Sequence, residues 1–155
     1  MKLWEKNIQV TEEIDRFTVG HDRELDLYLA PYDILGSIAH VSMLHSIHLI
    51  ADDELPLLLT ELKALYHEAA AGRFVIEDGV EDVHSQVELT LTRKLGDMGK
   101  KIHAGRTRND QVLLDLKLFA RDGIRRVAEA VKKLSDDLLA KSEEYKEVVM
   151  PGYTH

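Results

Sequence analysis

From Asn109 onward one helical pattern runs much further than a chain of this size ordinarily allows. Val112, Leu116, Phe119, Ile124, Val127, Val131, Leu134 and Leu138 recur at steps of three, four and five residues as far as about Lys146. Those steps keep apolar side chains on one stripe of an α-helix. A helix of nearly 40 residues is on the order of 55 Å long, and a small domain cannot wrap its whole apolar stripe. The stripe therefore needs partners, which the sequence predicts as a helix bundle or an oligomer. Gly123 is the one point in it where a bend is expected.

The rest of the chain is predicted to be helical as well. Aromatic residues make up 6% of the 155 residues and there are three prolines, too few turn signals for a sheet protein. Residues 1–20 read as an arm or loop with Ile14 and Phe17 as anchors, and Asp22–Tyr28 as a short helix. Pro31 reads as a boundary before a helix at Tyr32–Ile50, which is apolar on more than one side. Asp52 or Asp53 is placed to cap the next helix, with Pro56 in its first turn, and Gly72 is placed to end it. Val83, Val87, Leu91 and Leu95 are spaced by four on a helix at Glu81–Leu95. Gly96–Thr107 reads as a loop with Gly96, Gly99 and Gly105 as its flexible points.

Composition narrows the function. The net charge is −8 and cysteine is absent, so a general polyanion binder, disulfides and thiolate metal sites are disfavoured or excluded. No apolar run approaches the roughly 20 residues of a membrane span. Met1–Lys6 shows no secretory signal pattern, and the expected location is cytoplasmic. The chain stops within Val148–His155, an apolar-to-turn segment that reads as cut in the middle of an element.

One short stretch concentrates donors for an anion. Lys101-Ile102-His103-Ala104-Gly105-Arg106-Thr107-Arg108-Asn109-Asp110-Gln111 places two guanidinium forks, a hydroxyl and backbone N–H groups at the start of the long helix. It fits a carboxylate or phosphate, although on composition alone a solvated basic turn is the commoner reading. His84 and Glu88 share a helix face without a third ligand at metal spacing, so a polar pocket wall is the better reading, and no metal is expected. His40, His45 and His48 read as partly buried helix histidines. No phosphate-binding glycine loop and no nucleophile elbow is present.

Taken together, Glu81-Asp82-Val83-His84, the Lys101–Val112 run and Pro151-Gly152-Tyr153-Thr154-His155 resemble the argininosuccinate lyase family of the fumarase/aspartase superfamily, in order and at fitting separations. Tyr32–His40 looks like that family's first long helix. The resemblance implies an all-α fold, with an N-terminal helical domain at 1–108 followed at 109–155 by the first long helix of a central helix bundle. It implies β-elimination of argininosuccinate to arginine and fumarate in arginine biosynthesis, with no cofactor, by a homotetramer with composite active sites. No nucleic-acid or membrane partner is implied.

Carried over residue by residue, the resemblance makes Asn109, Arg108, Thr107, Thr154, Asp82 and His84 substrate-binding, with Thr18 nearest to a serine contact. It makes His155 the histidine of proton transfer. Ala104 stands where Thr is usual, and Trp4 is not followed by the family's Gly-Gly-Arg-Phe. The family's mobile Gly-Ser-Ser-x-Met-Pro loop, with its catalytic serine, does not occur in these 155 residues. The chain is thus expected to be an incomplete N-terminal portion, inactive alone. A non-catalytic, crystallin-like structural protein on the same scaffold is the alternative.

Overall fold

The computed structural model describes residue 17 and residues 20–154, without the side chain of residue 22. Among them the chain is helical with no strand: α1 Asp22–Ser46, α2 Glu54–Ala70, α3 Val83–Leu95, the short α4 Asp97–Lys100, a 3-10 turn Lys101–His103, and α5 Arg108–Tyr145. By packing the chain divides into two units, residues 1–119 and residues 120–155, so the boundary falls inside α5. The division expected at 108/109 rests on the family's bundle rather than on packing density.

In the first unit α1 packs against α2 and α3, and α2 touches α3. Ile34, Val41 and Leu44 of α1, Leu58 and Leu62 of α2, and Val83, Val87 and Leu91 of α3 are all at most 1% exposed. Each fully buried aliphatic side chain contributes about 1.5–3 kcal/mol of transfer free energy. The four-residue stripe of α3 is the face that faces this core. Ile102 of the 3-10 turn is buried with it, which draws the following loop onto the body of the fold.

Several local expectations are corrected. Pro31 is not a boundary: α1 runs through it without a break. A proline inside a helix costs about 3 kcal/mol. Ala30 and Ile34 on either side of it are wholly buried, and their packing holds the helix together. At the other end α1 stops at Ser46, short of Ile50. His48 there takes φ 62°, while Leu49 N–H bonds the Leu44 carbonyl and His48 N–H that of His45. That is the hydrogen-bond pattern of a helix closed by a left-handed residue, here a histidine where glycine is usual. Gly72 closes α2 in the same way, as the sequence predicts, with Arg73 N–H on the Glu68 carbonyl.

Asp53 occupies the N-cap of α2 but makes no capping bond. Glu54 accepts the Ala51 N–H instead. Of the arm's two expected anchors, Phe17 is exposed, and Ile14 lies outside the described residues.

The segment after α3 is more ordered than a loop. Gly96 ends the helix at φ 64°, and α4 with the 3-10 turn follows at once. A side chain at Gly99 would lie 2.4 Å from the Leu91 carbonyl carbon and 2.5 Å from Thr92 N. Gly99 is therefore a point of close backbone approach, not a flexible one.

Candidate active site

The loop that the sequence singles out is held from both sides. Thr107 and Asp110 cap α5 reciprocally: Asp110 Oδ2 accepts the Thr107 N–H at 2.9 Å, and the Thr107 hydroxyl takes the Asp110 N–H at 3.4 Å. Acid in the first turn also complements the helix dipole, and these bonds hold the Asp110 carboxyl below its usual range.

Neither guanidinium fork is idle. Arg108 donates to Asp82 and, at 2.7 Å, to Ser85 Oγ, with Glu81 3.5 Å away. Asp82 meanwhile caps α3 by accepting the Ser85 N–H at 2.8 Å. One carboxylate thus joins the first turns of α3 and α5. Arg106 turns inward and donates to Ser37 Oγ of α1 at 2.9 Å. Lys101 bonds Glu54, and Lys100 bonds Asp97. Lys100, Lys101, Arg106 and Arg108 are thus each matched to acids or hydroxyls of their own chain.

Asn109 stands differently. It is exposed in the first turn of α5, directly after Arg108, and no hydrogen bond of its side chain is made among the described residues. Of the residues the resemblance points to in this region, Asn109 is the one whose amide faces solvent uncommitted.

Behind the loop lies a polar cluster that the sequence reading missed. His84 is 7% exposed, and its Nδ1–H donates to Asp33 Oδ1 at 2.8 Å. Asp115 Oδ2 is 3.9 Å from the same nitrogen, and Gln111 Nε2 donates to Asp33 Oδ1 at 3.2 Å. Burial pulls the His84 imidazolium down, but the hydrogen bond and charge of Asp33, with Asp82 and Asp115, outweigh it and leave the pKa raised. Burial, then the negative charge of Asp33, pushes the Asp115 carboxyl up to about 7, against His84 and Arg106. Asp33, His84 and Asp115 offer ligand atoms within 4.8 Å of one another. They fit a metal poorly, because Nδ1–H is already a donor to Asp33 and the Arg106 cation stands against both carboxylates.

A signal for Asp33 was present: it is a lone acid between Tyr32 and Ile34 on an otherwise apolar stretch. Asp115 lies four residues beyond Gln111, one turn further along the same face. Burial, with the charges of Arg106 and His103, lowers the His40 pKa against its hydrogen bond to the Ala104 carbonyl. Its Nε2–H donates there at 2.8 Å and fixes the loop to α1. His45 is partly buried on α1, whereas His48 is exposed and beyond the helix end.

Other site candidates are not assembled here. Thr154 is exposed in the second unit. Thr18 and His155 lie outside the described residues.

The site is thus a helical unit in which an arginine–aspartate pair joins two helix starts beside a buried imidazole–carboxylate cluster. A family model described as lyase matches residues 15–155, and the chain belongs to the lyase family. It is similar to the argininosuccinate lyase of Phocaeicola vulgatus, 66% identical over 99% of this chain and 34% of that protein. The argininosuccinate lyase of Bacteroides fragilis is 67% identical over the same shares. That of Thermotoga neapolitana is 39% identical over 99% of this chain and 39% of its own length. The chain thus spans about a third of the length of the curated relatives it matches. The resemblance read from the motifs and the all-α fold both stand.

Proposed function

We propose that the protein carrying this chain is an argininosuccinate lyase, a carbon–nitrogen lyase that eliminates fumarate from argininosuccinate and releases arginine. The observation that carries the reading is the Gly105–Gln111 run at the start of α5, in a chain 66% identical to a protein of that name. The reaction removes a proton beside a carboxylate and expels a guanidinium nitrogen, so negative charge grows on the carboxylate in the transition state. Donors must converge on it. Asn109 supplies an uncommitted amide, and Thr107, Arg108, Asp82 and His84 form the wall behind it. Arg108 acts from within its pair with Asp82.

In this reading Thr154 and Thr18 are further substrate contacts, His155 transfers a proton, and no metal or organic cofactor takes part. Residues 1–108 form the N-terminal domain, and 109–155 begin a central bundle. The apolar stripe of α5 supports a homotetramer, because Ile124, Val127, Val131, Leu134 and Leu138 are 57–69% exposed within this chain. A soluble cytoplasmic enzyme without nucleic-acid or membrane partners fits the acidic charge and the absence, among the described residues, of a helix able to cross a membrane.

Fumarate release from argininosuccinate by the complete protein, followed by ultraviolet absorbance, is the test. We expect turnover, and a loss on the order of 100-fold in kcat/KM for Asn109→Ala with the fold retained, as for a donor to developing charge. A folded, assembled protein that makes no fumarate and shows no calorimetric heat with argininosuccinate would instead be the crystallin-like alternative.

A further inference from the structure

The cluster behind the loop contains groups for which the elimination chemistry has so far given no use. Asp33 and Asp115 are each 1% exposed, and the Oδ2 of each makes no hydrogen bond among the described residues. They come from α1 and α5, and His84 of α3 stands between them. Two buried carboxylates are costly unless positive charge lies close. Arg106, from the loop, interacts with both of them, and the charge of Asp33, with that of Asp115, favours the protonated form of His84. The remaining charged groups that bear on them are Asp82 on His84, Asp26 on Asp115 and Glu88 on Arg106.

Geometry also settles which ring nitrogen is available. His84 Nδ1 is spent on Asp33, and Nε2 makes no hydrogen bond among the described residues. A hydrogen bond at one nitrogen decides what the other can do. With Nδ1–H committed, Nε2 accepts when the ring is neutral and donates when it is charged.

We propose that Asp33 and Asp115 are positioning residues for His84, holding its imidazole through Nδ1 as a fixed cation whose Nε2–H is the donor offered to a carboxylate of the substrate. This rests on the lyase reading above and assigns a role within it. A charge already in place when the carboxylate gains electron density favours the transition state over bound substrate. Remove Asp33, and the ring loses both its orienting partner and the nearest reason to stay protonated.

Two measurements on the complete protein test the proposal. The ring nitrogens of His84, followed by 15N NMR, are expected to be both protonated at pH 7 and to titrate above the usual histidine value. In Asp33→Asn that titration moves to lower pH. In steady-state fumarate release, Asp33→Asn is expected to lower kcat about tenfold or more with KM little changed, the cost of a charged hydrogen bond. Its rate should also fall off at lower pH than the wild type's.

A wild-type His84 that is neutral at pH 7 overturns the proposal whether or not the variants fold. So does an Asp33→Asn protein with wild-type kcat and pH profile. Absence of fumarate from the wild type would sink the lyase reading, while the nitrogen titration would still decide the charge of His84.

Discussion

Asp115 is a carboxyl group that burial and the nearby negative charge of Asp33 push up to about 7, with His84 and Arg106 pulling the other way. Between its ordinary value and that raised one, the folded chain binds more protons than the unfolded chain. Its contribution to stability is therefore complete in acid and is lost as pH rises through about 7. The raised pKa of His84 acts in the same sense: its contribution is present below the ordinary histidine range and fades as pH climbs through the raised value. Glu54, Glu77 and Asp110 act in the opposite sense, since their lowered values stabilise the fold above the normal carboxylate range and fail below it. Stability should therefore peak on the mildly acidic side of neutrality. Asp115→Asn cannot ionise, so it should lose less stability than wild type between pH 5.5 and pH 8. Thermal denaturation at the two pH values checks this, and an unchanged difference would show that another group titrates. Sequence reasoning found His84 through its motif but passed over Asp33 and Asp115. Their importance comes from being buried together, and no single segment records that.

Among the elements, the glycines of α5 and of the segment before it separate two uses of the same residue. At Gly99 a methyl group would strike the backbone of Leu91 and Thr92, which cannot move away as a side chain's tip can. Gly123 sits inside α5 with nothing within 4 Å of an added Cβ. Gly99→Ala should destabilise by on the order of 3 kcal/mol. Gly123→Ala should stabilise by about 0.5–1 kcal/mol, the helix-propensity difference. Urea denaturation of the two variants measures both, and equal effects would refute the distinction. The long elements were legible because three or more turns of spaced apolar residues carry a clear period, as in α3 and α5. The short α4 was not, since four residues hold barely one turn of pattern. Pro31 misled for another reason: the rule it breaks is local, and the buried residues that override it lie around it in space.

For the molecule as a whole, the pattern from Ile124 to Leu138 remains a stripe seeking cover. Leu134 and Val131 are 60% and 57% exposed along it. If identical stripes cover one another in the complete protein, a charge there must be desolvated on assembly. Leu134→Lys should then shift a tetramer towards smaller species, as read by sedimentation velocity, while leaving the helical circular dichroism of the subunit intact. An unchanged sedimentation coefficient would place the interface elsewhere. The cluster of Asp33, His84 and Asp115 also has a consequence for how the chain is made. At ribosomal rates of about 5–20 residues per second, some 30 residues separate the emergence of His84 from that of Asp115, a lag of about 2–6 s. Within that interval, once Leu95 has emerged, a nascent chain can pack α1 on α2 and α3 with the imidazole already on Asp33 but without its second carboxylate. The start of α5 is then the late arrival that fastens an otherwise assembled unit.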